Sequence, residues 1–443
     1  MTSTSTSPHP EPDSPQTTVG NYFVSNYPPY SFWSEEHLPA VEHLLEQPPG
    51  DPRLGLYIHV PFCRKRCDFC YFKVYTDQNA KQILAYLDAV IAEAKRAADR
   101  PYLRGRRPQI VYFGGGTPSY LSVAQLEHLF RGLQQAFPFD QVEELTFECE
   151  PGTLADSKLQ ALRDLGVTRL SLGVENFSPR ILEINNRAHR AKEIYRAYGF
   201  ARELGFPQIN LDLIAGMVGE TDANWQDCIE QTLKLLPESV TVYQLEVPYN
   251  TTLYERMKED STEVAPVADW DTKRRWTDEA FSALEGAGYT LGSAYTAKID
   301  EQVQFRYRDA LFSGLDLLGL GVSSFSHLGG LHVQSEHQIG AYLNRVQAGA
   351  LPHLRALELT AEERLIREFV LQLKLGEVRI DEFQRRHGVN LLERFRKPLE
   401  QYQEDGFLDL SEERIVLRRS GLLQVDRLLH AFFLKRHQNA RYA

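Results

Sequence analysis

The sequence predicts an α/β protein with a parallel sheet, followed by a small helical module. From Leu54 onward, short apolar runs alternate with amphipathic segments, and several of those segments end at a glycine, the usual left-handed cap of a helix. Six repeated strand–helix units imply a parallel sheet with right-handed crossovers. Periodicity alone does not choose between an open sheet and a barrel. The predicted strands are Leu54–Val60, Ile110–Phe113, Glu144–Cys149, Arg169–Val174, Gln208–Ile214 and Ser239–Val247.

Composition divides the chain into four parts. Residues 1–19 are a Ser-, Thr- and Pro-rich tail, which we expect to be disordered. Residues 20–50 form an aromatic arm, and so many aromatic side chains are expected to pack on the body of the protein. Residues 51–300 hold the strand–helix core. Residues 301–443 form the C-terminal domain, whose helical patterns and hairpin-like stretch predict a winged-helix-like module.

Charge and hydropathy exclude several classes of function. The 443-residue chain has a formal net charge of −11, which argues against nucleic-acid binding through phosphates and against a DNA-binding wing. It has no apolar run near the roughly 20 residues of a membrane-spanning helix. The first 18 residues have no apolar signal-peptide core, so we expect a cytoplasmic location.

Three of the five cysteines, Cys63, Cys67 and Cys70, lie within eight residues and directly follow the first predicted strand. Such a cluster is typical of thiolate ligands to a soft metal centre. A cluster of four irons held by three thiolates leaves one iron open to a small molecule. A structural zinc site is the alternative, but it would need a fourth ligand, and the nearby histidine is His59.

The second predicted strand runs into Gly114-Gly-Gly-Thr-Pro118. Glycines allow a ligand to approach backbone amides that side chains would otherwise block. Alone, the string is equally typical of a tight turn. A P-loop is excluded because the Gly-x4-Gly-Lys-Ser/Thr pattern is absent.

Charged residues follow the later strands. Glu148 and Glu150 share one face of a strand end, where a carboxylate could hold a ribose hydroxyl or an amino group; the alternative is a surface pair. Asp212 interrupts an apolar strand, so it should face the site and bond a partner. Arg187 is a candidate partner, or could grip a ligand carboxylate. A structural ion pair remains the alternative for these two residues.

The spacing Cys-x3-Cys-x2-Cys after an apolar strand resembles the signature of radical S-adenosylmethionine (SAM) enzymes. The resemblance implies a partial (β/α)6 barrel and a [4Fe-4S] cluster bound by Cys63, Cys67 and Cys70. It also implies cleavage of SAM to a 5′-deoxyadenosyl radical. Glycines placed like Gly114–Gly116 receive the amino group of SAM in that family.

Across residues 20–435 the chain resembles the oxygen-independent coproporphyrinogen III oxidase group, which decarboxylates porphyrinogen propionates and binds two SAM molecules. The resemblance implies a small-molecule substrate, porphyrinogen or other, a reducing partner such as flavodoxin or ferredoxin, and a monomer. It assigns no catalytic side chain. The first SAM would lie at Tyr57, Phe69, Gly115 and Glu148, and the second at Gly116, Thr117, Arg187 and Asp212, beside Glu175.

Three departures from that group leave the reaction open. Phe72 replaces a further cysteine, Glu175 replaces a common glutamine, and Tyr295-Thr-Ala-Lys replaces a histidine-containing stretch. One alternative is a two-SAM radical methyltransferase or cyclopropanase. Another is a haem chaperone, but the chaperone motif His-Asn-x-x-Tyr-Trp is replaced here by Gln304-Phe-Arg-Tyr-Arg-Asp. The downstream histidines are typical of surface residues: His327, His332 and His337.

Overall fold

All six predicted strands lie in one continuous twelve-stranded sheet in a computed structural model of the protein. The structure describes residues 21–248, 250–259, 267–438 and 440. The tail predicted to be disordered lies outside the described residues. The strand order is β12-β11-β10-β9-β1-β2-β3-β4-β5-β6-β8-β7. These strands are β1 Leu54–Val60, β2 Pro108–Gly115, β3 Glu144–Cys149, β4 Arg169–Glu175, β5 Gln208–Ala215, β6 Ser239–Gln244, β7 Thr290–Leu291, β8 Thr296–Lys298, β9 Leu317–Leu320, β10 Phe325–Leu328, β11 Leu331–Ser335 and β12 His353–Glu358.

The centre of the sheet is a parallel run in chain order. Each strand from β1 to β5 pairs in parallel with the strand that follows it. Strand β1 takes β9 as its other neighbour and β6 takes β8, so the run stays open rather than closing on itself. The predicted α/β class with a partial barrel is confirmed. Because the six strands point the same way, their carboxyl ends meet at one rim.

Helices cover the sheet between its strands. Their starts are fixed by side-chain caps, as at Asn79 and Ser122, each of which forms a capping box with a glutamine three residues later. None of the described helices has the length and apolar character needed to cross a bilayer. The helices that accompany the sheet are Leu38–Leu45, Ala80–Ala98, Val123–Ala136, Asp156–Asp164, Pro179–Ile184, Ala191–Glu203, Asp222–Leu235, Thr252–Glu259, Trp270–Gly286, Arg306–Phe312 and Ile339–Gln347.

The region after residue 301 is split between two cores. Strands β9 to β12 extend the main sheet and share its apolar core. A second core, which includes Ile366 and Phe369, begins with the helix Ala361–Leu373. Around it stand a three-stranded antiparallel sheet and short helices: β13 Glu377–Arg379, β14 Leu408–Leu410, β15 Arg414–Leu417, and the helices Ile380–His387, Leu391–Arg394, Arg396–Glu404, Arg419–Leu422 and Val425–Leu429.

The aromatic arm joins these two cores. Val24, Tyr27 and Trp33 are buried, and Ser34 exchanges two backbone hydrogen bonds with Ala356 of β12. Val24 donates its N–H to Asp426 (2.8 Å), and its carbonyl accepts from Lys374 (2.8 Å). Lys374 and Asp426 themselves form an ion pair of 2.9 Å with almost no exposed side-chain surface. The arm is therefore part of the folded body.

Asp426→Asn should destabilise the protein by about 3–5 kcal/mol, because it leaves the Lys374 ammonium buried without its counter-ion. Urea unfolding followed by circular dichroism measures the change. Asp409→Asn removes the same charge from an exposed pair with Arg418 and should leave stability unchanged. Equal stability of the two variants would contradict the role given to the buried pair.

Candidate functional site

A cavity of about 430 Å³ opens at the rim where the carboxyl ends of β1 to β6 meet. Every predicted site residue except Tyr57 contributes to its lining. Those residues are Cys63, Cys67, Phe69, Cys70, Gly115, Gly116, Thr117, Glu148, Glu175, Arg187 and Asp212. Segments far apart in sequence therefore meet in one place, as expected from the shared direction of the strands.

The three cysteines lie on the loop that follows β1. Tyr75 closes this loop by exchanging backbone hydrogen bonds with Cys63 and Pro61 (3.1 and 2.9 Å). Cys63 is buried, and Cys67 and Cys70 are half-buried. Burial and the neighbouring thiols raise the pKa of Cys63 to about 12 and that of Cys70 to about 11. Thiolates in this loop therefore need a cationic partner, which a metal centre provides.

The thiols fit a cluster better than a single ion. Across the described part of the chain, no three His, Cys, Asp or Glu side chains surround one point closely enough to hold one metal ion. A four-iron cluster binds each thiolate at a different iron, so it does not need such convergence. Two sulfurs already accept hydrogen bonds of the kind that orient ligands: Cys63 Sγ from Thr117 Oγ1 (3.3 Å) and Cys67 Sγ from Arg187 Nη1 (3.2 Å).

The glycine turn after β2 packs against the cysteine loop. A Cβ on Gly116 would lie 3.0 Å from Cys63 Sγ, and a Cβ on Gly115, whose φ is +115°, would lie 2.6 Å from the His59 ring. The amides of this turn are used within the protein, since Gly116 N–H donates to Val60 (2.8 Å) and Thr117 N–H to Phe62 (2.8 Å). A ligand ammonium group is itself a hydrogen-bond donor, so at this turn it would bind carbonyl oxygens or Glu148 and not the amides.

Glu148 is the carboxylate that lies beside the glycine turn. It accepts hydrogen bonds from Tyr112 Oη (2.5 Å) and Gly115 N–H (3.2 Å). Burial raises its pKa to about 7. Tyr57 lies farther from the rim, where its ring stacks on Tyr112 and its hydroxyl lies 3.1 Å from His59 Nδ1. Tyr57 thus supports the wall that carries Glu148.

Glu150 lies near Glu148 but has different partners. It pairs with Arg64 (3.4 Å), and His189 Nδ1 lies 3.5 Å away. Burial alone would raise the pKa of Glu150, but these two neighbours outweigh it and lower the pKa. Glu150 therefore ties the cysteine loop to the segment after β4.

The end of β4 forms an unusual turn. Glu175 has a positive φ of 63°, which is costly for a residue with a side chain, and it follows a register shift between β4 and β5. Its carboxylate pairs with Arg187 (3.3 Å), which also donates to the Gly173 carbonyl (2.7 Å). Burial raises the pKa of Glu175 to about 7, although Arg187 opposes the shift.

Asp212 faces the cavity, but the candidate pairing with Arg187 is wrong. Its carboxylate accepts hydrogen bonds from Ser171 Oγ (2.8 Å) and Asn210 Nδ2 (2.9 Å) instead. The turn at Glu175 explains the difference, because it places a nearer carboxylate beside Arg187. Asp212 has hydrogen-bond donors and no cationic partner within ion-pair distance among the described residues, and burial raises its pKa.

Sequence reasoning missed a further carboxylate, Glu246. It lines the cavity just beyond β6 and accepts a hydrogen bond from the backbone of Phe23, an arm residue that also lines the cavity. Burial raises the pKa of Glu246 to about 8. The predicted sixth strand ran to Val247 and so included Glu246, whereas β6 ends at Gln244 and leaves Glu246 two residues beyond the strand end.

The cavity therefore has an acidic floor. Glu148, Glu175, Asp212 and Glu246 all line it, and burial raises the pKa of each. Coulombic repulsion between neighbours adds to the effect, as between Glu148 and Asp212. A cationic group that entered the cavity would favour the ionised carboxylates. The site is suited to a ligand that carries an ammonium or sulfonium group.

Two histidines predicted to be exposed are buried. His327 and His332 face each other across the β10–β11 pair, with their Nδ1 atoms 3.1 Å apart. His332 also hydrogen-bonds the Tyr27 carbonyl through Nε2 (3.0 Å) and stacks on Trp33. The arm covers this face of the sheet, which a linear reading of the sequence could not show. His337 is exposed, as predicted.

Comparison with known proteins identifies the class that this barrel and cysteine loop define. The profile of the radical SAM superfamily matches residues 57–232, from β1 to the helix before β6. The profile of the HemN C-terminal domain matches residues 359–423, which contain most of the second core. Radical SAM proteins use a [4Fe-4S] cluster and SAM, in agreement with the donor set described above.

Full-length relatives refine this assignment. The chain is 28% identical to an oxygen-independent coproporphyrinogen III oxidase of Salmonella typhimurium, over 94% of this chain and 93% of the relative. It is also 28% identical to the heme chaperone HemW of Bacillus subtilis, over 85% of this chain and 98% of the relative. The solved structure of HemN from Escherichia coli has the same fold, with a TM-score of 0.79 at 24% identity over 93% of this chain and 96% of that one. The chain therefore matches the radical SAM superfamily in its core and the HemN family in its C-terminal region.

Cys63→Ala should abolish cluster assembly, because it removes one of three thiolates. Iron and sulfide content after anaerobic reconstitution measures the effect. Cys228→Ala is the matched control, since Cys228 is buried in the helix Asp222–Leu235 and should not affect iron content. Unchanged iron in the Cys63 variant would contradict the ligand assignment.

SAM should bind more tightly as the pH rises from 6 to 8, because Glu148 ionises through its raised pKa of about 7. The same shift means that ionisation of Glu148 opposes folding, so this group lowers the stability of the ligand-free protein as the pH rises from about 4.5 to 7. Calorimetric titration with SAM measures the binding profile.

Glu148→Gln should remove this pH dependence and weaken SAM binding by about 1.5–3 kcal/mol at pH 8. Glu150→Gln is the control, because the lowered pKa of Glu150 places its titration below this range. A Glu148 variant with the wild-type pH profile would show that Glu148 does not hold the ligand.

Proposed function

We propose that the chain is a radical SAM enzyme that oxidatively decarboxylates propionate side chains of a porphyrinogen. The observation that carries the proposal is the single cavity at the rim, which joins the three cysteines, Glu148 and the Arg187 region. Full-length similarity to coproporphyrinogen III oxidases, including the arm and the C-terminal region, supports the same reaction.

When bound, the cluster and SAM supply a 5′-deoxyadenosyl radical. In the decarboxylation, the substrate side chain loses one hydrogen atom to that radical, then releases carbon dioxide and one electron to leave a vinyl group. An external acceptor takes the electron. The chain contributes orientation of the ligands, through side chains that several strand ends bring to one cavity.

Individual residues receive roles from their positions. Glu148, beside the glycine turn, would hold an amino or hydroxyl group of the first SAM. Arg187 and Asp212 would position a second SAM or the substrate. Two SAM molecules are part of the proposal, because three adjacent strands each place a carboxylate in the cavity: Glu148 at β3, Glu175 at β4 and Asp212 at β5.

Two observations favour an enzyme over a haem chaperone. In place of the chaperone motif, Phe305 and Tyr307 turn into the barrel, where Tyr307 stacks on Tyr112 with ring centres 4.3 Å apart. His327 and His332 are buried and bonded to each other or to the arm, so neither presents a ring nitrogen to a haem iron at the surface.

A two-SAM alkyl transfer is the second candidate, and Glu175 favours it. This carboxylate stands where the oxidases commonly have a glutamine, and it adds negative charge to a cavity that already contains Asp212 and Glu148. An acidic cavity is better suited to a second sulfonium than to the carboxylates of a porphyrinogen. The two candidates differ in their products.

Anaerobic incubation with coproporphyrinogen III, SAM and dithionite should yield a vinyl-containing product, carbon dioxide and 5′-deoxyadenosine. Liquid chromatography with mass spectrometry measures all three. Glu175→Gln should retain this activity, because it restores the residue common in the oxidases and keeps the shape of the side chain.

Formation of S-adenosylhomocysteine instead of carbon dioxide, with loss of that product in the Glu175 variant, would favour alkyl transfer. Stoichiometric binding of haem without either product would overturn both reactions in favour of a haem-binding protein.

A further inference from the structure

The cysteine loop presents a positive surface to solvent. Three consecutive cations, Arg64, Lys65 and Arg66, join Cys63 to Cys67, and all three are exposed. Arg66 donates to two backbone carbonyls, those of Cys70 (3.2 Å) and Asn250 (3.3 Å). Because these acceptors are neutral, they hold the guanidinium in place without cancelling its charge.

A groove of about 820 Å³ adjoins the cavity and shares Arg64, Lys65 and Arg187 with its lining. Arg64 and Lys65 form one wall, and Arg190 and Lys192, both exposed, stand on the other. The carboxylate among its described lining residues is Glu183. We call Arg64, Lys65, Arg66, Arg190 and Lys192 the basic face.

The basic face contrasts with the rest of the chain. The formal net charge of the protein is −11, so a local group of five cations does not follow from its composition. Arg64, Lys65 and Arg66 also line the cavity, and all five side chains of the face are exposed. An anionic protein surface can therefore contact the face from solvent, next to the cysteine loop.

We propose that the basic face docks an acidic one-electron carrier protein, the reductant that the proposed function requires. Residues 64–66 connect two of the three cluster ligands, so a carrier seated on them lies next to the cluster site. One electron leaves the carrier and one enters the cluster, and no bond is made or broken.

Charge complementarity of this kind acts mainly on the association rate. Steered pairs associate about 10²-fold or more faster than neutral pairs at low salt, and screening removes the advantage. Electron-carrier encounters bury small interfaces, so a few exposed cations can control them. The face therefore predicts a salt-dependent reduction rate with an acidic carrier.

The test is stopped-flow reduction of the reconstituted full-length protein by an acidic plant-type ferredoxin, followed by loss of cluster absorbance. The double variant Lys65→Glu with Lys192→Glu should be reduced about tenfold more slowly than wild type at ~50 mM salt, and the difference should vanish near ~0.5 M. Photoreduced 5-deazariboflavin, which has no net charge, should reduce both proteins equally.

The control variant is Arg396→Glu with Lys397→Glu, which reverses the same number of exposed charges in the C-terminal region. It should behave as wild type. Equal ferredoxin rates for all three proteins would overturn the proposal. So would a Lys65/Lys192 variant that keeps its ferredoxin rate but loses porphyrinogen binding, which would assign the face to the substrate.

Failure of the proposed function would look different. A wild-type protein without cluster absorbance would be recognised before any reductant is added, and it would overturn the enzyme proposal and the docking role together. Slow reduction of the variant combined with absent decarboxylation would instead support docking and reject only the assigned reaction.

Discussion

The shared direction of six neighbouring strands is the constraint on which the site depends. Because β1 to β6 run parallel in chain order, their carboxyl ends form a single rim, and the segments that leave those ends must meet. Cys63 lies just beyond β1, Glu148 near the end of β3 and Asp212 in β5, and each lines the same cavity. Without the parallel order, the three would lie on opposite edges of a sheet.

The charge distribution around the rim follows a second physical rule. Burial holds the pKa values of the carboxylates on the cavity floor above the usual range. A cationic ligand therefore stabilises the ionised carboxylates, which burial disfavours in the ligand-free protein. The cations of the cysteine loop also line the cavity, but they are exposed, so solvent screens them. This arrangement separates the region suited to a sulfonium from the region suited to an anionic protein surface.

Much of this architecture could be predicted from sequence, for identifiable reasons. The strands were recognisable as apolar runs bounded by turns. Because functional groups gather at the carboxyl ends of parallel strands, the cysteine loop, Glu148 and Asp212 could then be selected as site residues. The Arg187 pairing could not be predicted, because it depends on the positive φ of Glu175 and the register shift beside it. Burial of His327 and His332 was equally hidden, since the arm that covers them is about 300 residues away in sequence.

The contact between Val24 and Asp426 joins residues that are 402 positions apart. A ribosome releases the arm some 400 residues before Asp426, so Val24 lacks this partner until the C-terminal region has been made. Phe23, an arm residue that lines the cavity, must therefore pack there after the cysteine loop has already emerged. The wall of the cavity is therefore incomplete when the three thiols emerge, because Phe23 has not yet joined it.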